Sequence, residues 1–396
     1  MKDRKWSRCV VGLLSLLSVL LIACGEAATP TLAPPQPTST PTSIPVPTAA
    51  PSPTAVLPQP PSAPTPTPMP VAAPSPTPTQ QQPTITPLKW ERIGVTGPAP
   101  GVRKDATLVY DDATNSLLLF GGRRGGQGLN DLWSFNLGTS QWKEIAASSA
   151  PSPRWGHVAM FDTKRRQMVL FSGQGPGGFF NDTWVFDTVT QQWKEVTPSG
   201  DKPSKRYGSC VGYDSDRDLI YISHGFTNSG RFNDTWAFDL NAQRWTDVSS
   251  SGVRPIERCL HRCAFDQGSS SFVLFGGQSN QTPILGDLWR YDPGSKMWTE
   301  IAPAGEKPSP RFFSSLVEDS NMRRFLLFGG VTSDGRKNDL WSYVQGERWT
   351  KLEASGTAPE ARNSHAGAFV PSPSAFYIFG GISESELGDL WRLQAG

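Results

Sequence analysis

Leu117-Leu-Leu-Phe-Gly-Gly122, Val169-Leu-Phe-Ser-Gly173, Ile220-Tyr-Ile-Ser-His-Gly225, Val273-Leu-Phe-Gly-Gly277, Leu326-Leu-Phe-Gly-Gly330 and Tyr377-Ile-Phe-Gly-Gly381 are one short apolar run written six times, each stopped by glycine. The final glycines are 51, 52, 52, 53 and 51 residues apart, a fixed period that marks a repeat architecture before any other fold argument is needed. Runs of four or five apolar residues bounded by glycine read as strands buried on both faces.

Shortly after each run come an aspartate and a tryptophan: Asp131-Leu-Trp133, Asp182-Thr-Trp184, Asp234-Thr-Trp236, Asp287-Leu-Trp289, Asp339-Leu-Trp341 and Asp389-Leu-Trp391. A second tryptophan opens a further strand at Trp142, Trp193, Trp245, Trp298 and Trp349, and an arginine precedes the first strand of each unit. Each unit thus supplies four strands, and four strands repeated radially make a propeller. The sixth unit stops at Gly396 without its outer tryptophan, but Trp90-Glu-Arg-Ile93 lies 52 residues ahead of Trp142 and supplies it. The expected fold is all-β: a six-bladed propeller with four antiparallel strands per blade, closed by the N-terminal strand at Trp90.

Glycine pairs followed by spaced aromatics at this period resemble kelch repeats, and the resemblance covers residues 89–396. It implies that the tryptophans wedge between blades as scaffold and that recognition sits on loops. Strand direction alternates within a blade. The loop after the glycines and the loop leading into the innermost strand therefore emerge on one face, where variable segments on a rigid frame carry recognition.

That face concentrates arginines. Arg103, Arg154, Arg206, Arg258, Arg311 and Arg362 end the loop before each innermost strand, and Arg123, Arg124, Arg231, Arg336 and Lys337 lie in the loops after the glycines. In kelch domains that capture acidic peptide loops, arginines at the start-of-strand position carry binding, so the resemblance implies an anion-binding rim. The alternative role for the first six is a brace, each pairing with the aspartate of its own Asp-x-Trp strand. The ten arginines are the candidate ligand-binding residues.

From Lys89 onward basic and acidic side chains number 33 each. A neutral domain lacks the basic stripe that phosphate contacts need, so nucleic acid is not an expected partner. His157, His261 and His365 lie three residues after a repeat arginine in alternate blades. Three imidazoles facing one axis would suit a metal, but Arg-x-x-His is a frequent pattern in kelch repeats, which implies rings hydrogen-bonded within their own blade, and no metal or cofactor is expected. His224 replaces a strand-end glycine and reads as incidental. Of Cys210, Cys259 and Cys263, the first and last occupy nearby points of neighbouring repeats, which suits either a disulfide or buried thiols.

No nucleophile–base pair or glycine-rich phosphate loop appears. Copper-radical oxidases of the galactose oxidase type need tyrosine and histidine ligands and a cysteine–tyrosine crosslink that find no match, and Ser333-Asp334-Gly335 departs from the sialidase turn. A carbohydrate-active enzyme such as a sialic-acid epimerase or mutarotase stands as the alternative to a pure binder, because an arginine-rich mouth suits a sugar carboxylate. No catalytic residue is assigned.

Two segments precede the repeats. Lys2, Arg4, Lys5 and Arg8 are followed by an apolar run from Val10 to Ala23, too short to span a bilayer and shaped like an export signal over residues 1–23. Leu21-Ile22-Ala23-Cys24-Gly25 resembles the lipobox of bacterial lipoproteins, which implies cleavage before Cys24 and its modification with diacylglycerol. Residues 24–88 form an expected stalk: from Ala27 to Leu88 no residue is charged, and 21 of the chain's 37 prolines fall there. Such a segment cannot bury enough apolar surface to offset chain entropy and favours extended polyproline conformations. The expectation is a monomer outside the cytoplasm, lipid-anchored to the cell membrane, that binds a protein partner or an anionic glycan.

Overall fold

The computed structural model describes residues 87–346 and 348–394. The expected signal at residues 1–23, the lipidation site Cys24 and the stalk at 24–88, apart from its last two residues, lie outside the described residues.

Six four-stranded antiparallel sheets follow one another along the chain, the first five each built from strands in sequence order. Blade one runs Thr107–Asp111, Ser116–Phe120, Leu132–Asn136 and Gln141–Glu144. Blades two to five begin at Val158–Asp162, Cys210–Asp214, Arg262–Asp266 and Ser315–Asp319 and repeat the plan. Blade six takes Ala366–Val370, Ala375–Ile382 and Glu386–Gln394 from the end of the repeats and Lys89–Arg92 from their start. Trp90 pairs with Leu393 and its N–H donates to the Ser355 carbonyl at 2.9 Å, so the first strand is stitched to the last blade and to the segment after blade five. The N-terminal closure read from the spacing of Trp90 is therefore present.

The apolar second strand of each blade is buried, as its unbroken hydrophobic run requires; in Ser116–Phe120 every residue is inaccessible. The core is a series of inter-blade layers. The outer tryptophan of one blade packs against the strand-end phenylalanine of the blade before it: Trp193 on Phe120 at 4.9 Å, Trp245 on Phe171 at 4.8 Å and Trp349 on Phe275 at 5.2 Å between ring centres. Trp90 performs this role on Phe328 at 5.0 Å and Trp142 on Phe379 at 5.3 Å, which carries the same packing across the seam.

Blade three departs from the pattern. Ser223 stands where the other blades carry phenylalanine, and Trp298 meets the ring of His224 instead, at 6.2 Å. His224 is fully buried at φ 57°, hydrogen-bonded through Nδ1 to Ser223 at 2.6 Å. The glycine-to-histidine exchange that looked incidental in the sequence thus fills space a phenylalanine occupies elsewhere.

Cys210 and Cys263, on the innermost strands of blades three and four, form a disulfide with Cα atoms 5.3 Å apart. Closing a loop of 53 residues removes chain entropy worth about 4 kcal/mol from the unfolded state. Cys259 is buried nearby.

Candidate functional site

The repeat arginines are scaffold. In every blade the guanidinium meets the aspartate of the Asp-x-Trp strand through two parallel bonds: Arg154 to Asp182, Arg206 to Asp234 and Arg258 to Asp287, all at 2.7 Å. Arg103–Asp131, Arg311–Asp339 and Arg362–Asp389 repeat this geometry. Nη1 also donates to the carbonyl at the end of the second strand, and Nε to the backbone two residues upstream, as in Arg206 to His224 and Ser204.

Strand alternation puts residues two apart on one face, so the following tryptophan N–H donates to the same carboxylate: Trp236 to Asp234 at 2.8 Å, with equivalents in all six blades. Burial pushes each of these carboxyls up, but the arginine bonds and charge, with the tryptophan N–H, outweigh it and hold them below the ordinary carboxylate range. With the arginines at 0–2% exposure, these six candidates have the brace role. Their guanidinium groups are committed within their own blades and do not form a cationic rim.

Two circles of backbone hydrogen bonds hold the blades around the axis. The second glycine of each pair, or its counterpart, donates to the carbonyl of the next blade's arginine, from Gly122 to Arg154 through Gly381 to Arg103. A Cβ on Gly122 would come within 2.8 Å of the Lys104 carbonyl, which explains why that position is glycine. The second circle joins the residues two beyond each arginine: Asp105, Gly156, Gly208, Leu260, Phe313 and Ser364 each donate to the one before, and Asp105 donates to Ser364. All six are left-handed, with φ between 55° and 66°. Four of them are not glycine, a conformation that side chains adopt at a cost. The ring narrows one end of the axial channel, and Tyr207 lies so close over Gly156 that a Cβ there would meet its ring at 1.9 Å.

Around this ring the two loop sets share a face as expected, because Lys104 pairs with Arg123, Trp155 with Gln174, and Tyr207 with Phe226. The loop cations have individual fates. Arg123 bonds Asp105 at 3.0 Å and lies over the Trp155 ring at 5.8 Å. Arg336 donates to Asn363 at 2.9 Å, Lys337 pairs with Asp334 at 2.6 Å, and Lys104 with Glu386 at 2.9 Å. Arg231 is half-buried beside Phe232 on the blade-three hairpin. Arg124 is exposed at the tip of the blade-one hairpin.

An aromatic ridge continues from Arg123 and Trp155: Tyr207 meets Phe226 edge-on at 5.2 Å, and Phe226 meets half-buried Phe179 at 5.9 Å. Blades one to three therefore gather Arg123, Arg124 and Arg231 beside this ridge, while Arg336 belongs to blade five. The aromatic half of this sector escaped the sequence reading, because these rings lie in loops where no periodicity announces burial.

The alternate-blade histidines do not bond within their own blades as expected; His157 and His365 reach the innermost strand of the blade before, because the blades meet closest at the axis. His157 bonds the Thr107 hydroxyl of blade one at 2.9 Å, and His365 bonds Ser315 of blade five at 2.9 Å. His261 faces His224 at 5.2 Å and lies within 4.8 Å of the Cys210 and Cys263 sulfurs, whose pairing in the disulfide takes up the thiolates a metal would need. Cys210 occupies the strand position of Thr107 and Ser315, so the three sites are one inter-blade contact with different partners.

Along the axis runs a cavity of about 380 Å³ lined by the innermost strands. Arg262 and Tyr207 line it toward the ring, and Glu318 lies farther along the wall, its carboxyl pushed up to about 7 by burial. Arg262 was not singled out in the sequence; at a strand start, one arginine among many carries no mark of facing a channel.

The KLHDC2/KLHL20/DRC7 Kelch-repeats domain matches this chain over residues 83–268 and 250–396. Leucine-zipper-like transcriptional regulator 1 homolog of Drosophila melanogaster is 28% identical over 316 residues, 74% of this chain and 31% of that one. Host cell factor 2 of Homo sapiens is 28% identical over 61% of this chain and 32% of its own length. Putative adagio-like protein 2 of Oryza sativa subsp. japonica is 28% identical over 78% and 51%. The chain spans about a third to a half of the length of these curated relatives. With the family match covering every blade, and the glycine pairs, Asp-x-Trp strands and outer tryptophans all in place, the chain belongs to the Kelch-repeat family.

Proposed function

We propose that this propeller is a capture module held at the cell envelope, binding an acidic segment of a protein partner on the loop face of blades one to three. The observation that carries this is the placement of Arg123 and exposed Arg124 beside the Trp155–Tyr207–Phe226–Phe179 ridge. Trp155, Tyr207 and Phe226 are buried and fix the frame, while half-buried Phe179 and the arginines are of the residue types that dominate protein recognition energies. The envelope location rests on the basic start, short apolar run and Leu21–Cys24 lipobox; the proline-rich stalk would hold the domain away from the membrane.

The rival role, interconverting sialic-acid anomers, loses the six braced arginines as carboxylate ligands. An anionic glycan would draw on the same loop cations but has less use for the ridge. Replacing Arg123, Arg124 and Arg231 together by alanine is expected to weaken capture of the envelope partner by tenfold or more; because Arg123 is the counter-charge of buried Asp105, the unfolding transition also moves down, and capture is measured below it. Capture equal to wild type in a folded triple variant would remove the face from consideration, and loss of binding to sulfated glycan alone would favour the glycan.

A further inference from the structure

Arg262 is a cation on the channel wall without an acid of its own. It opens the innermost strand of blade four, at a position occupied in the other blades by Thr107, Val158, Cys210, Ser315 and Ala366. Its Nε donates to the Ser314 carbonyl of blade five and its Nη1 to the carbonyl of His261 at 3.3 Å. Among the described residues it makes no ion pair; Asp105, whose charge it feels across the axis, is already bonded to Arg123. Burial pushes the guanidinium down from its ordinary value, opposed by Asp105 and Tyr207. A guanidinium partly withdrawn from bulk water and without an acid partner is costly, and the remedies are water or an anion.

Room for either is present, since the guanidinium lines the 380 Å³ cavity. Its remaining N–H groups are left to that space, and the planar fork matches two oxygens of one oxyanion. Tyr207 lines the same end, with burial pushing its phenol well up, so that it stays a neutral O–H donor. The Arg123–Asp105 pair offsets the one acid of the ring that would repel an anion.

We propose that the ring end of the axial channel binds a compact oxyanion, a small carboxylate or phosphate, with Arg262 as its fork and the Tyr207 hydroxyl as a second donor. The site adjoins the loop-face sector through Tyr207 and the Arg123–Asp105 pair, but its fork, Arg262, belongs to the channel alone, so failure of Arg262 to bind an anion would leave capture by Arg124 and Phe179 untouched.

The test uses the full-length protein titrated with sodium acetate or inorganic phosphate at constant ionic strength against chloride, read by calorimetry and by the unfolding temperature. Saturable binding of either anion is expected, weakened tenfold or more in Arg262→Gln and less in Tyr207→Phe. A response to acetate alone identifies a carboxylate site, and one to phosphate alone a phosphate site. Equal responses from wild type and Arg262→Gln, or no saturable response from wild type, would overturn the proposal. Should Arg262→Gln fail to fold, anomalous scattering from selenate in wild-type crystals decides: density against the Arg262 guanidinium supports the site, and a channel without it contradicts the site.

Discussion

Asp234→Ala is expected to cost about 3–5 kcal/mol, the loss that follows when one partner of a buried ion pair is removed. The substitution leaves the Arg206 guanidinium, at 0% exposure, with backbone carbonyls but no counter-charge, and strips the Trp236 N–H of its acceptor. Urea denaturation measures it directly; a change below about 1 kcal/mol would mean that the brace is ornamental. Pairing it with Arg206→Met is expected to recover part of the loss, because an apolar pair buries no unmatched charge. Such variants should keep their loop-face binding while folded, since the six braced guanidinium groups face inward.

Acid is expected to weaken the fold well above the carboxylate range. All 4 histidines of the chain are buried, at 0–4% exposure. Burial, joined by the charges of Arg154 and Arg258, pushes His157 and His224 down to about 3, and burial holds His261 and His365 far below their ordinary value. In the unfolded chain each titrates near 6.5. Above that pH their neutrality costs nothing; as pH falls from 6.5 toward the folded value, the unfolded state takes up protons the folded state refuses, and stability drains away.

The slope is about 1.4 kcal/mol per pH unit for each imidazole, so four of them remove on the order of 8 kcal/mol by pH 5. That is comparable with the whole stability of a typical domain. The six braced aspartates contribute in the opposite range: their depressed values add stability that persists above about 3.9 and is lost only as pH falls further. Denaturation curves at pH 7.5, 6 and 5 test this; a flat profile over that span would show that the imidazoles take up protons in the folded state. His157→Gln should reduce the slope by about one proton.

The contrast between what the sequence discloses and what it conceals has a physical cause. Period, strand count and the closure at Trp90 are legible because each recurs six times or completes a missing sixth copy, and repetition turns a weak local signal into a strong one. The brace was legible as one of two roles, since an arginine and an aspartate 27 to 29 residues apart in every unit can pair in every unit. The left-handed ring was not: Asp105, Leu260, Phe313 and Ser364 carry no glycine to announce positive φ, and their conformation is imposed by inter-blade hydrogen bonds.

Departures from the repeat were hidden for the same reason. His224 substitutes for a phenylalanine by filling space from the next position along the chain, and Arg262 takes a channel position that holds small or apolar residues elsewhere. The candidate site therefore has to be found where the blades differ. That puts weight on the blade-one to blade-three hairpins and away from the six arginines whose regularity first drew attention.

The placement of recognition on the loop face is tested most directly by photo-crosslinking in intact envelopes. A photoreactive residue is introduced at position 124 or 179 on that face, or at Thr139, exposed in the turn between the third and fourth strands of blade one on the opposite face. A discrete crosslinked partner is expected from positions 124 and 179 and none from 139; an adduct formed equally or preferentially at 139 would contradict the account.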